Sequence, residues 1–244
     1  MPSKIWYDYK GDSMKRKLIM IILLIFISLV SLTACKQKET KSNEKNESEE
    51  KIVQEDIKEG TIDGYKFKET EEETDRIKIQ MDNGDIILAV LSNKDTPITI
   101  KNFKTLVKNH FYDGLIFHRV IKDFMIQTGD PKGNGTGGSE ENIKGEFSEN
   151  GVKNSLSHTR GVLSMARRGS NPETSETMNS ASSQFFIVQK DSTYLDGKYA
   201  SFGKVFAGLD VVDKIANVET DSSDKPIKEQ KIHSIRFIEI IKED

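Results

Sequence analysis

Apolar and polar positions divide the chain into three stretches. Residues Leu18–Ala34 are almost wholly apolar, residues 36–60 are almost wholly charged or polar, and from Arg76 onward apolar positions recur with regular periods. Ile77, Ile79 and Met81 alternate with polar residues, Asn83-Gly84 follows, and Ile86–Leu91 is a second apolar run. Two such runs around Asn-Gly predict a β-hairpin with a type I′ turn. Thr96-Pro97 predicts a helix start, with Thr96 as N-cap and Pro97 at the first helical position. Ile100, Phe103, Leu106 and Val107 share one face of that helix, and Phe111-Tyr-Asp-Gly114 ends it. Short β-runs follow at 115–121, 125–128, 161–166, 184–189 and 201–205. A second helix at 208–217 turns Val211, Val212 and Ile215 inward, and a last strand at 232–240 is apolar on both faces. Two helices and about eight strands with tight turns predict a mainly β domain over residues 76–242, closed into a barrel because closure removes exposed sheet edges.

The N-terminal stretch reads as an address. Met14-Lys15-Arg16-Lys17 precedes the apolar run, the arrangement of a secretory signal peptide over residues 14–34. The run holds 17 residues, short of the ~20 that span a bilayer comfortably. It ends in Leu32-Thr33-Ala34-Cys35, which resembles the lipobox of bacterial lipoproteins, where the cysteine is acylated and becomes the mature N-terminus. Cys35 is the only cysteine in the chain. An uncleaved signal anchor is the alternative. Met14 starts a better signal than Met1, so residues 1–13 read as a gene-model extension, with a longer natural n-region as the other possibility. Residues 36–60 hold six Lys, eight acidic residues and three large aliphatics, too little apolar surface to offset ordering entropy. With the lipidated Cys35, residues 35–75 are therefore expected to be a flexible charged tether; a fraying helix over 47–59 is the alternative. Residues 61–75 are transitional, with Tyr65 and Phe67 as candidates for docking on the domain that follows.

Charge and cysteine count exclude several classes. The formal net charge is −3 for 244 residues, and no Lys/Arg block stands outside the leader, so no nucleic-acid partner is expected. One cysteine excludes an internal disulfide framework. Four scattered histidines give no zinc spacing. Gly133-Asn-Gly-Thr-Gly-Gly138 matches G-x-G-x-x-G formally but lacks the strand before it and the helix after it. No G-x-S-x-G elbow or H-E-x-x-H is present.

The stretch Phe117–Asp130 is the most informative. A two-residue turn at 122–123 puts Arg119 on the face opposite Met125 and Gln127. A three-residue turn at 122–124 puts all three on one face. Periodicity alone leaves both open. In Ser182–Gln189, Gln184 and Phe186 face one way, Phe185 and Ile187 the other.

Phe117-His-Arg-Val-Ile, Phe124-Met-Ile-Gln-x-Gly-Asp130, Gly135-Thr-Gly-Gly138, Gly161–Ala166, Ser183-Gln-Phe-Phe-Ile187 and Leu195-Asp-Gly-Lys198 with Phe202-Gly-Lys204 together resemble the cyclophilins. The resemblance covers about residues 76–241. It implies a closed eight-stranded antiparallel β-barrel capped by two helices, and a peptidyl-prolyl cis-trans isomerase that uses no cofactor and no metal. It also implies the three-residue turn. Arg119 matches the catalytic arginine; Phe124, Met125, Phe186 and Leu195 match the proline pocket. Gln127 and Gln184 match polar substrate contacts, and Ala166 and Arg167 match the segment whose backbone pairs with the peptide. Gly135, Thr136, Gly137 and Gly138 match a loop bordering a secondary pocket. Tyr194 stands where many members have Trp and Tyr199 where many have His. The first change is expected to weaken cyclosporin-type binding more than turnover. Arg167-Arg168 replaces a common Asn-Ala, and Arg168–Asn179 forms a loop longer than usual beside the groove. His118, His158 and Tyr112 are expected to be structural.

The resulting expectation is a lipid-anchored monomer on the extracytoplasmic face of a bacterial cell membrane. It would act on proline-containing segments of unfolded or exported proteins. The rivals are a non-catalytic proline-peptide-binding module or chaperone, and a solute-binding lipoprotein, for which the domain is too short to form two lobes.

Overall fold

The computed structural model describes residues 55–92 and 94–242. The signal peptide, Cys35 and the first part of the expected tether lie outside the described residues.

The hairpin expected around Asn83-Gly84 forms from β3 (Arg76–Met81) and β4 (Ile86–Leu91). Its turn differs from the expectation. Gln80 pairs with Ile86 and Met81 N–H donates to Asp85 O, leaving a three-residue loop with only Gly84 at positive φ (+86°). A type I′ turn needs both central residues left-handed; a three-residue loop needs one, which Gly84 supplies. β5 (Arg119–Ile121) and β6 (Met125–Thr128) form a second hairpin, whose turn places Asp123 at φ +59°. β7 (Val162–Met165), β8 (Phe185–Val188), β9 (Ser201–Ala207) and β10 (Ile232–Ile240) complete the expected strands.

Helix α1 (Pro97–Lys108) buries Ile100, Phe103, Leu106 and Val107, and packs on β10. Thr96 occupies the N-cap position but its side chain does not cap; its hydroxyl donates to Ser92 O. The helix N-terminus is closed from a distance. The Glu146 carboxylate accepts from the backbone N–H of Ile98 (3.0 Å) and Thr99 (2.8 Å), satisfying orphan donors and opposing the positive dipole end. A four-residue helix, α2 (Ser175–Met178), interrupts the long loop after β7. Helix α3 (Leu209–Ala216) buries Val211, Val212 and Ile215 as expected.

With β1 (Glu59–Ile62) and β2 (Tyr65–Glu69), the strands form one sheet in the order β1-β2-β10-β3-β4-β9-β7-β8-β6-β5. Strands β3–β10 are the eight expected, but they do not close by a continuous ladder. The segment 115–118, expected as part of a strand, meets the residues just before β10 through the isolated bridge Ile116↔Lys231, with Phe117 N–H to Gln230 O (2.9 Å) and, at the first residue of β10, Ile232 N–H to Leu115 O (2.8 Å). The main core lies inside this curved sheet and includes Ile77, Ile79, Phe103, Phe117, Phe185 and Phe202, all fully buried.

The two remaining strands correct the domain boundary. β1 (Glu59–Ile62) and β2 (Tyr65–Glu69) pair with each other, and β2 extends the sheet beyond β10. The tether expected to reach residue 75 therefore does not include residues 55–69. Phe67 is fully buried against Ile86, Leu88, Ala207 and Ile238 on the outer face of the sheet. This second core explains why Ile86–Leu91 and the last strand are apolar on both faces. The polar positions of β3 serve the same end. Lys78 and Gln80 are fully buried. Gln80 accepts from Ile57 N–H and donates to Glu55 O, both at 2.8 Å; Lys78 donates to Ile57 O (2.8 Å) and pairs with Glu69 (2.5 Å). Composition averaged over residues 36–60 concealed the few groups that dock.

Candidate active site

On the outer face of β6, β7 and β8 lies a third apolar cluster: Met125, Val162, Phe186, Val188 and Leu195, with Ile121, Phe124, Ala166 and Tyr199 packed against it. Strand alternation produces it. Phe185 and Ile187 enter the main core, so Phe186 must face outward.

The 122–124 turn sets what stands beside this cluster. Arg119 pairs with Gln127 and Ile121 with Met125, so Arg119, Met125 and Gln127 share one face, as the three-residue turn requires. Phe124 N–H donates to Ile121 O (3.1 Å) across the turn. Arg119 is 44% exposed, while Met125, Phe186 and Leu195 are at most 8% exposed. A cation thus stands at the wall of a dry apolar floor.

Arg119, Phe124, Met125, Gln127, Gly135, Ala166, Arg167, Phe186, Leu195 and Tyr199 line one cleft of about 580 Å³. Thr136, Gly137, Gly138 and Gln184 line a neighbouring cleft of about 630 Å³, which shares Gln127, Gly135, Ala166 and Arg167 with the first. Tyr194 lines neither. It is 63% exposed at the rim, its ring 6.0 Å from that of Phe124.

The ridge between the clefts is built by hydrogen bonds. Gln127 donates to Gln184 (2.9 Å), and Gln184 donates to the carbonyls of Gly135 (3.1 Å) and Gly137 (2.7 Å). Asp130, 1% exposed, accepts from the N–H groups of Lys132, Asn134 and Gly135. Burial opposes its ionisation, but backbone N–H donors outweigh burial and hold the carboxyl below its ordinary range. Gly129 must be glycine: φ is +87°, and a Cβ would collide with the Ser183 carbonyl.

The Arg167 side chain turns inward, 4% exposed. Its guanidinium is buried inside the protein, 4.8 Å from the Tyr199 ring centre and 5.3 Å from that of Phe147, and donates to Glu173 (2.8 Å) and Lys198 O (3.0 Å). It clamps the long loop to the pocket wall. Arg168 reaches Glu176 on α2 (3.2 Å) and lines the second cleft.

Sequence reading missed several lining residues. His118, expected to be structural, lines the first cleft; it is 5% exposed and neither ring nitrogen has a hydrogen-bond partner among the described residues. Asp221, Ser223 and Lys225 form the far wall. Only the turn-forming run Asp221-Ser-Ser-Asp224 marked that loop, and turn residues do not reveal which cleft they border. His158 is structural as expected, buried between Asp196 (2.7 Å) and Ser164 (2.9 Å) and stacked 6.2 Å behind Phe186. Burial pushes its pKa down and the Asp196 contact only partly offsets this.

The family model for cyclophilin type peptidyl-prolyl cis-trans isomerases matches residues 76–237. Peptidyl-prolyl cis-trans isomerase ppi1 of Schizosaccharomyces pombe is 43% identical over 157 residues, covering 64% of this chain and 94% of that protein. Peptidyl-prolyl cis-trans isomerase-like 1 of Aspergillus oryzae is 42% identical over 150 residues, 61% of this chain and 87% of its own length. The crystal structure of a Cryptosporidium parvum cyclophilin type isomerase matches with a TM-score of 0.59 at 32% identity, covering 70% of this chain and 99% of that one. Its structure in the presence of the dipeptide Ala-Pro matches with a TM-score of 0.58 at 33% identity, covering 66% and 97%. The family-model match over residues 76–237, on this fold and with an apolar pocket beside Arg119, leads to one conclusion: the chain belongs to the cyclophilin-type peptidyl-prolyl cis-trans isomerases.

Proposed function

We propose that Arg119 is the catalytic group and that the first cleft takes the proline of an X-Pro segment. The observation that carries this reading is the shared face of Arg119, Met125 and Gln127 beside the Phe124–Phe186–Leu195 floor. Rotation about an X-Pro bond is opposed by amide resonance, a barrier of ~18–20 kcal/mol. No bond breaks, so no nucleophile, cofactor or metal takes part. In the twisted transition state resonance is lost and the nitrogen lone pair localises. A guanidinium directed at that nitrogen stabilises the twisted state more than the planar one. The apolar floor holds the proline ring and excludes water. Gln127, Gln184 and the backbone near Ala166 and Arg167 hold the flanking peptide while the other side rotates. Lowering the barrier by ~6–7 kcal/mol gives about 10⁵-fold.

The test is NMR exchange of a short Ala-Pro peptide by the full chain and by Arg119→Ala. Fast exchange that collapses in the variant supports both parts of the reading. Activity that survives removes the electrostatic account, and binding without acceleration in either protein favours the peptide-capture rival.

The leader motif supports a lipid anchor at Cys35 on the extracytoplasmic face of a bacterial membrane, with the enzyme acting as a monomer on proline-containing segments of exported chains. Uncatalysed X-Pro isomerisation takes tens to hundreds of seconds, slow enough to limit folding. Cys35→Ala is expected to release the protein from membranes. Deletion of the gene is expected to slow the folding of proline-limited secreted proteins; unchanged abundance of all of them would overturn the export role. The exposed Tyr194 supports weakened cyclosporin-type binding, restored by Tyr194→Trp.

A further inference from the structure

The loop that forms the far wall of the first cleft is built to face Arg119. It closes on itself: Thr220 and Pro226 form a bridge, Asp221 N–H donates to Lys225 O (2.8 Å), and the Asp221 carboxylate accepts from Ser223 and Lys225 N–H. It is also docked on the catalytic hairpin. Asp224 O accepts from Val120 N–H at 2.8 Å, so the backbone of Asp224 is tied to the residue next to Arg119. Asp224 holds a left-handed backbone (φ +63°), a conformation that costs a non-glycine residue and that Asp tolerates better than most. From there its carboxylate accepts from Arg119 Nε at 3.4 Å. Among the described residues it is the only ion-pair partner of Arg119. Gln127, opposite Arg119 in register, spends its amide on Gln184 instead.

We propose that Asp224 is a positioning residue for Arg119. A long, half-exposed arginine samples many rotamers. Tying Nε sets the plane of the guanidinium and leaves both Nη groups free to face the cleft. The carboxylate also drains some positive charge from the group it orients. Both side chains are 44% exposed, so water screens that loss, and the gain from a fixed direction dominates. The proposal rests on Arg119 being the catalytic group.

Two variants of the full chain test it. Asp224→Asn removes the charge and keeps a residue that tolerates the left-handed backbone. Asp224→Gly removes the side chain and keeps the main-chain bond to Val120. In both, kcat/KM for an Ala-Pro peptide is expected to fall about three- to tenfold, carried by kcat, with KM within about twofold. The NMR signal of Arg119 Nε–H is expected to shift and broaden. In an Arg119→Lys background, which lacks Nε, Asp224→Asn is expected to change turnover less than about twofold. Wild-type turnover in both variants, a rise in kcat, or an equal loss in the Arg119→Lys background would each overturn the proposal. Equal turnover by wild type and Arg119→Lys would sink the catalytic reading of Arg119 itself. The Nε–H signal separates that failure from loss of the Asp224 contact alone.

Discussion

A single carboxylate, Asp130, organises the ridge on which two clefts depend. Its partners are backbone N–H groups of the glycine-rich loop, and buried donors without an acceptor are costly. Asp130→Asn keeps the shape but turns an amide NH₂ toward those donors. It is expected to destabilise the fold by about 2 kcal/mol in a denaturant titration, and to weaken peptide binding where Gly135 borders the cleft. A loss below about 0.5 kcal/mol, within the ordinary range for surface changes, would mean the loop holds its shape unaided. At this scale, the sequence exposed the family's own residues and little else. Arg119, Phe186 and Gln184 stand in recognisable runs. Asp130 was visible only as part of a motif, and the burial of the Arg167 guanidinium was not visible, because it depends on Phe147, Tyr199 and Glu173 meeting from distant segments.

Between elements, two packing arrangements carry predictions. The β1–β2 hairpin buries Phe67 completely against the outer face of the sheet. Phe67→Ala removes a large buried side chain and is expected to cost about 3–5 kcal/mol by chemical denaturation, with the Ala-Pro exchange rate unchanged at low temperature. A small loss with an unchanged denaturant slope would show that the hairpin contributes little to the cooperative unit. The long loop with α2 is attached differently. It contributes no residue to the three apolar clusters except Met178; Arg167 holds Glu173, the Asn179 side-chain oxygen accepts from Gly145 N–H (3.0 Å) and Asn150 (2.8 Å), and the Arg168–Glu176 pair lies within the loop. The Arg167 contact keeps the Glu173 carboxyl below its usual range. Few apolar contacts and exposed polar ones mark a segment that opens locally. Glu173→Ala is expected to raise amide exchange within residues 169–179 while the melting temperature moves by less than about 2 °C. A global loss of protection would contradict local attachment.

Across the molecule, pH acts through buried histidines. Burial lowers the pKa of His118 and of His158 below the ordinary 6.5, the nearby carboxylates offsetting it only in part. In the unfolded chain both bind protons at a higher pH than in the fold. Stability is therefore complete above pH 6.5 and falls as pH drops through the window between the unfolded and the lowered folded values. Melting temperatures from pH 8 to 5 are expected to decline below about 6.5, and His158→Asn is expected to flatten part of that slope. Asp130 and Asp196, with carboxyls held below their ordinary value, act lower, their contribution being lost as pH falls below about 4. A flat profile between pH 7 and 5 would show that neither histidine is held neutral by the fold.

The sequence by itself determined the local periodicities: the alternation that sends Phe185 inward and Phe186 outward, the helical faces of α1 and α3, and the runs that mark the family. These depend on neighbours a few residues apart, and a chain carries such distances directly. Tertiary structure alone decided the rest. It chose the three-residue turn at Gly84 over the type I′ turn, capped α1 with Glu146 instead of Thr96, and left the sheet unclosed, with only the isolated bridge Ile116↔Lys231 where a ladder was expected. It also folded residues 55–69 onto the sheet and brought Asp224 to Arg119 from 105 positions away. Apart from the local turn at Gly84, each of these is a contact between segments far apart in the chain. Its free energy comes from burial and hydrogen bonds that exist only after the sheet has curved.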